Sequence, residues 1–169
     1  MNGVTVTSES TVTVNKSRVS KSEIKLATVD EMLAKATILF EEHYKEIARN
    51  KEVMKLKPDE ETYRNLEKMR RIFILSAWQD DILIGYSVNF VLNHPHYADL
   101  VLAQNDLLYI KKEMRGSRAG LKLINQTETH AKSLGCKLML WHAKDDTTLA
   151  HMLPRLKYGV QDIIYYKEL

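Results

Sequence analysis

Leu107-Leu108-Tyr109-Ile110-Lys111-Lys112-Glu113-Met114-Arg115-Gly116-Ser117-Arg118-Ala119-Gly120-Leu121 is the stretch on which the reading of this chain turns. Apolar and aromatic residues run to Ile110, basic residues follow, and small residues then lead into a new periodicity. Leu121, Leu123, Ile124, Thr127, Ala131 and Leu134 recur at spacings that line one helix face. The stretch therefore reads as strand, turn and helix. A turn of small residues opening a helix exposes unpaired backbone N–H groups at the positive end of the helix dipole, which favours an anionic diphosphate. Gly116, Ser117, Ala119 and Gly120 leave room for close approach. Arg115 and Arg118 offer planar donors for phosphate oxygens, and Lys111 and Lys112 raise the local potential. The competing reading of the turn alone is a solvated basic loop that binds nothing.

Working outward, Leu100 to Ile110 is long enough for a central strand, and Gly120 to Leu134 forms the helix after the turn, stopped by Gly135. Lys137 to His142 reads as a further buried strand, residues 147–157 as a short helix, and Val160 to Tyr166 as a closing strand. On the other side, Ile72-Phe73-Ile74-Leu75-Ser76-Ala77-Trp78 and Ile82-Leu83-Ile84-Gly85-Tyr86-Ser87-Val88 flank a polar turn and predict a hairpin. Gly85 within it suggests a bulge or a close backbone approach. Earlier still, Glu23 to Thr28 alternates as a short strand, and Thr28-Val29-Asp30-Glu31 has the form of a capping box. Met32, Ala36, Leu39, Phe40, His43 and Ile47 share one face of the helix that follows. Lys57-Pro58-Asp59-Glu60-Glu61 opens a second helix running to about Arg70, with its carboxylates at the favourable end. The expected order is β-α-α-β-β-β-α-β-α-β, an α/β (α+β) fold with one mixed sheet and helices on its faces.

Composition bounds the function. With 169 residues, 44% hydrophobic and 28% charged, the chain suits one domain, expected over 22–169. Residues 1–21 hold no aromatic residue, no Leu and no Ile, and are expected to be a flexible tail. Lys and Arg number 25 against 22 acidic residues, a net charge of +3 that is too mild to argue for nucleic-acid binding by bulk charge. The single Cys136 suits a core hydrophobe in a reducing compartment. With no apolar run of membrane-spanning length and no signal-peptide core, a soluble cytoplasmic protein is expected. His43, His94 and His96 share no recognised ligand spacing with a Cys or carboxylate, so no metal site is expected.

Set in this order of elements, Arg115-Gly116-Ser117-Arg118-Ala119-Gly120 resembles the Arg/Gln-x-x-Gly-x-Gly/Ala acyl-CoA signature of the GNAT superfamily of acetyl-CoA-dependent N-acetyltransferases. Leu108 to Met114 resembles the family's fourth strand and following loop. The resemblance covers nearly all of Ile24 to Lys167 and is strongest between Asp106 and Leu123. His43-Tyr44-Lys45-Glu46, Asn105-Asp106 and Leu156-Lys157-Tyr158 resemble the members found in phages and prophages. Two departures stand out. Arg118 occupies a position where the signature usually has Gly. The family's proton-donating Tyr in the late helix falls on Leu153 if Leu156-Lys157-Tyr158 forms the turn behind it, or on Arg155 if Gly159 supplies the turn's glycine; neither serves as a proton donor.

The resemblance implies direct attack of an amine on the acetyl thioester in a ternary complex. It implies that acetyl-CoA is the acyl donor, that the backbone of Leu108, Tyr109 and Ile110 pairs with the pantetheine arm, and that Arg115, Gly116, Ser117, Arg118, Ala119 and Gly120 hold the diphosphate. The family's upstream carboxylate falls on Gln104, which cannot act as a base. Asp106, on the same strand face, is the candidate base, with a structural role as its alternative. His142 is the second candidate, against a satisfied core histidine. Tyr86 is a weaker proton donor, with Tyr165 and His151 behind it. An acceptor amine is expected between the two early helices, the 92–99 loop and the closing strand, where Glu41, Glu42, His43 and Asp59 would attract a cation. A nucleic-acid base or host protein as acceptor, and a non-catalytic binding module, are the other readings left open. Edge strands at the C-terminus suggest a homodimer by analogy.

Overall fold

A computed structural model describes residues 21–168 of the chain, so all but Lys21 of the expected tail lies outside the described residues. β1 (Glu23–Ala27) is followed by α1 (Val29–Lys35), α2 (Thr37–Ile47) and α3 (Glu60–Lys68), then by β2 (Ile72–Gln79), β3 (Ile82–Asn93) and β4 (Val101–Ile110). A short 3₁₀ turn at Lys112–Met114 precedes α4 (Ala119–Ser133), β5 (Leu138–Trp141) and α5 (Thr148–Arg155). The five strands form one sheet in chain order. The first three pairings are antiparallel and β4–β5 is parallel, with α4 as the crossover that a parallel pair requires.

Sequence-local rules account for most element ends. Thr28 accepts from Glu31 N–H at 3.1 Å while Glu31 accepts from Thr28 N–H at 2.8 Å, a complete capping box. Asp59 caps α3 through Thr62 N–H at 3.0 Å. Gly135 follows α4 at φ 83, letting Cys136 N–H reach back to Ala131 O at 3.1 Å. Gly85 sits opposite Ile110, where a Cβ would stand 2.4 Å from Tyr109 O; the close approach read from the sequence is real.

Apolar alternation puts a core on each sheet face. Val29, Met32, Ala36 and Leu39 pack with Ile74, Tyr86, Val88 and Tyr109 on one side. On the other, Ala119 and Leu123 of α4 pack with Leu75, Ala77 and Ile110, and Ala131 with Phe73, Val91 and Ala103.

The structure corrects the expected order in two places. The first helix is two, broken at Ala36 (φ −106, ψ 6). Ala36 N–H still bonds Met32 O and Phe40 N–H bonds Ala36 O, both at 2.8 Å, so the buried stripe Met32, Ala36, Leu39, His43 continues across the break and reads as one face. The closing strand at 160–166 is absent: 158–168 is neither helix nor strand. Its β-formers describe a preference that only a neighbouring strand can satisfy, and β5 is the last strand of the sheet.

Candidate active site

The register of β4 creates an opening. β4 pairs with β5 only from Leu102↔Leu138 to Asn105↔Trp141, while its pairing with β3 continues to Ile110↔Gly85. The two parallel strands therefore part company beyond Asn105. At that point the β3–β4 register shifts, Val88 facing Leu107 and Asn89 facing Asn105, so Asp106 is the extra residue of a β-bulge. Bulges of this kind re-aim side chains. Asn105, 1% exposed, ties the bulge down: its Nδ2 donates to Asn89 Oδ1 at 2.9 Å, Leu107 O at 3.0 Å and Val88 O at 3.2 Å, with Ser87 Oγ at 3.3 Å.

Asp106 is exposed at the surface, yet the protein around it takes part of its carboxyl's hydration. This partial desolvation lifts its carboxyl above the ordinary range, against the lowering effects of the Tyr63 hydroxyl and of His142. Tyr63 Oη donates to Asp106 Oδ2 at 3.3 Å, and burial beside that carboxylate pushes the phenol up to about 12.

Past β4, the turn has the amides its sequence promised. Gly116 adopts φ 83 with nothing within 4 Å of where its Cβ would be, and Arg118 sits at φ −78, ψ 2. The turn thus takes its left-handed residue at Gly116 and tolerates Arg where the signature usually has Gly. Ser117 Oγ accepts from Ala119 N–H at 3.2 Å and donates to Met114 O at 2.7 Å. Among the described residues, no acceptor pairs with the N–H groups of Gly116, Ser117, Arg118, Gly120 or Leu121, and Gly116, Ser117 and Arg118 are exposed. That is a fit for a diphosphate.

The family model described as Acetyltransferase (GNAT) family matches residues 38–158, a span holding the bulge, the split and the turn. This chain belongs to the GNAT acetyltransferase family. It is therefore an acyltransferase. No curated protein matches it. Among solved structures, an aminoglycoside acetyltransferase from an uncultured soil metagenomic sample, in complex with sisomicin, is 17% identical at TM-score 0.66, covering 88% of this chain and 96% of that one. The ribosomal-protein-alanine N-acetyltransferase of Brucella melitensis biovar Abortus 2308 is 18% identical at TM-score 0.65, covering 88% and 99%. A Trypanosoma brucei acetyltransferase is 12% identical at TM-score 0.62, covering 88% and 100%. At these identities the likeness is one of fold.

In this acetyltransferase, α2 carries more of the site than its sequence announces. Glu42, His43 and Glu46 lie on one stripe and each meets a residue of the sheet or the turn. Tyr109 Oη donates to Glu42 Oε2 at 3.2 Å. His43 Nδ1 lies 2.7 Å from Tyr86 Oη and its ring stacks on Tyr109 at 4.8 Å. Burial drops His43 to about 4 and raises the Tyr86 phenol, so a neutral imidazole and a neutral phenol share that hydrogen bond. Beyond α2, Arg49 Nη2 donates to Asp145 O and Lys144 Nζ to Ile47 O at 3.0 Å, joining the helix end to the loop after β5.

The candidates named from sequence thus separate. Asp106 and His142 share the mouth of the split, His142 exposed just past β5 rather than buried on a strand. Tyr86, 1% exposed, is held in the core by His43. Tyr165 is 85% exposed in the C-terminal segment, and His151 is exposed on α5. Lys157, at φ 65, takes the left-handed place of the turn's glycine while Gly159 does not, so Leu153, buried at 9% exposure, occupies the family's tyrosine position. Tyr158 is committed elsewhere: its hydroxyl donates to Glu128 Oε1, which also accepts from Trp141 Nε1 at 3.0 Å. Tyr63 and Glu128 belonged to no motif read from the sequence, and Asn105 and Glu46 entered only within the phage-like stretches, with no role given to either. Of these, only Glu46 carried a sequence signal, a carboxylate in the last turn of a helix where the dipole disfavours it.

No helix among the described residues is long and apolar enough to cross a membrane, and no cluster of three or more His, Cys, Asp or Glu among them is placed to hold a metal.

Proposed function

We propose that residues 22–169 act as one domain that moves an acetyl group from acetyl-CoA to an amine, with both substrates bound together and Asp106 as the base. The observation that carries this is the bulge: it turns Asp106 out at the point where β4 and β5 separate, on the same strand that leads into the open amides of the turn. Acetyl-CoA supplies the thioester. Gly116, Ser117, Arg118 and Gly120 would hold its diphosphate through backbone N–H groups, with the Ala119 amide already satisfied by Ser117, and the freed edge of Leu108, Tyr109 and Ile110 would align its pantetheine arm. Asp106 accepts the proton of the acceptor ammonium, helped by its raised pKa, and His142 beside it takes the proton onward to solvent. With Leu153 at the position of the usual tyrosine, the carbon–sulfur bond breaks to release a thiolate, which takes its proton from water rather than from a tyrosine on α5.

Carboxylates at Asp106 and Glu42 on the acceptor side support a cationic primary amine as acceptor over a nucleic-acid base. The expected outcome for Asp106→Asn is a fall in kcat of about 100-fold with acetyl-CoA affinity retained; unchanged turnover removes Asp106 as the base. Thiol release across a panel of aminoglycosides, polyamines, peptides and oligonucleotides identifies the acceptor. The exposed run Val160, Ile163, Ile164, Tyr165 and Tyr166, each 70–85% accessible, supports a second copy of the chain as partner, a reading that sedimentation as a monomer at assay concentration would overturn.

A further inference from the structure

Glu46 stands in the last turn of α2, where the unpaired carbonyls of the helix make a negative charge unfavourable. A local cost of this kind points to a partner outside the helix. The partner is Arg115, the first residue of the phosphate-binding turn: Nη1 donates to Glu46 Oε1 at 2.6 Å and Nη2 to Oε2 at 2.7 Å, a bidentate pair. The same guanidinium donates its Nε–H to Ile110 O at 2.9 Å, at the end of β4, and lies over the Tyr109 ring at 5.5 Å. Glu46 is held below the usual carboxylate range chiefly by that hydrogen bond, and so stays charged.

These contacts hold the Arg115 guanidinium between a helix, a strand end and an aromatic face. They use Nε–H and one N–H of each terminal nitrogen, leaving one N–H on each for an anion. We propose that Glu46 is a positioning residue for donor binding: it holds the Arg115 guanidinium in a set plane beside the amides of Gly116 to Gly120, so that a diphosphate meets a donor already ordered. The proposal rests on acetyl-CoA being the donor.

Two physical effects predict opposite signs. Glu46 is a negative charge next to a site for phosphates, so on Coulomb repulsion alone its neutralisation tightens donor binding. If its task is to order Arg115, neutralisation weakens binding by about three- to tenfold, the equivalent of immobilising one long side chain. Calorimetric titration of acetyl-CoA into wild type, Glu46→Gln, Arg115→Gln and the double variant decides between them, with Glu52→Gln, an exposed carboxylate beyond α2, as the charge control. The expected results are a Kd for Glu46→Gln raised three- to tenfold, a KM for acetyl-CoA raised in step with kcat at saturating donor within about twofold, and a double variant no weaker than Arg115→Gln. Circular dichroism verifies that each variant is folded at the titration temperature. Equal or tighter binding by Glu46→Gln, or losses that multiply in the double variant, overturns the positioning role while leaving the transferase reading intact. No acetyl-CoA binding by the wild-type protein overturns the transferase reading and the positioning role together.

Discussion

Replacing Asn105 with Ala removes the side chain that holds the β4 bulge open, and its cost follows from the hydrogen bonds around it. The two N–H groups of Nδ2 are shared among Asn89 Oδ1, Leu107 O, Val88 O and Ser87 Oγ. Asn89 and Ser87 can still satisfy each other, at 3.0 Å from Asn89 Nδ2 to Ser87 Oγ. The carbonyls of Val88 and Leu107 lose their side-chain donor at a place with little access to water. An acceptor stranded in this way costs about 1–3 kcal/mol. Against that, Asn105 Oδ1 is itself buried without a partner, and its removal returns part of the loss. The net destabilisation is about 2–4 kcal/mol, within the range for broken buried polar networks. Urea denaturation measures it as a lower midpoint with an unchanged m value. Relaxation of the bulge also moves Asp106, the proposed base, and misplacement of a reacting group by about 1 Å costs up to about 100-fold in rate, so on that proposal kcat/KM falls by more than the folded fraction accounts for. A destabilisation below about 1 kcal/mol together with wild-type kcat/KM would refute the assignment of Asn105 to the bulge and its link to Asp106.

Three further outcomes follow from the geometry. Gly85→Ala forces a Cβ to within 2.4 Å of Tyr109 O and 2.5 Å of Ile110 Cδ1; thermal unfolding should show a loss of about 2–3 kcal/mol from overpacking, and an unchanged Tm would mean that β3 and β4 are not so closely apposed. Tyr63→Phe removes a hydrogen bond that lowers the Asp106 pKa, so the acid limb of the kcat/KM profile moves to higher pH; a static limb argues that another group titrates there. His43 is protonated near 6.5 when unfolded and near 4 when folded, so the unfolded state binds the extra proton between those values. Its contribution is therefore complete above about pH 6.5 and is lost as pH falls toward 4, by about 3 kcal/mol in all. The difference in stability between wild type and His43→Gln should shrink over that window, and a difference independent of pH contradicts the buried neutral imidazole.

What the sequence by itself determined is whatever follows from neighbours along the chain. The capping box at Thr28 and Glu31, the Asp59 cap, the amphipathic face of α4 and the left-handed stop at Gly135 all depend on residues a few positions apart, and all are present. The turn at Gly116 to Gly120 likewise keeps unpaired amides, that of Ala119 excepted, because the first turn of any helix lacks intrahelical acceptors for them. Gly85 announced a close approach, although its neighbour in space, Tyr109 O, could not be named.

Tertiary structure decided the rest, because it depends on which strand edges and side chains meet. The break at Ala36 preserves the buried stripe and so leaves no trace in periodicity. The 160–166 segment has the composition of a strand but no strand beside it, and pairing is a property of two segments. The bulge at Asp106 arises from the register between β3 and β4, which no window of one strand contains. Tyr63 reaches Asp106 across 43 positions, and Glu46 reaches Arg115 across 69. Asp106 was legible as a carboxylate on β4; the bulge that turns it outward, and the desolvation that raises its pKa, were supplied by packing alone.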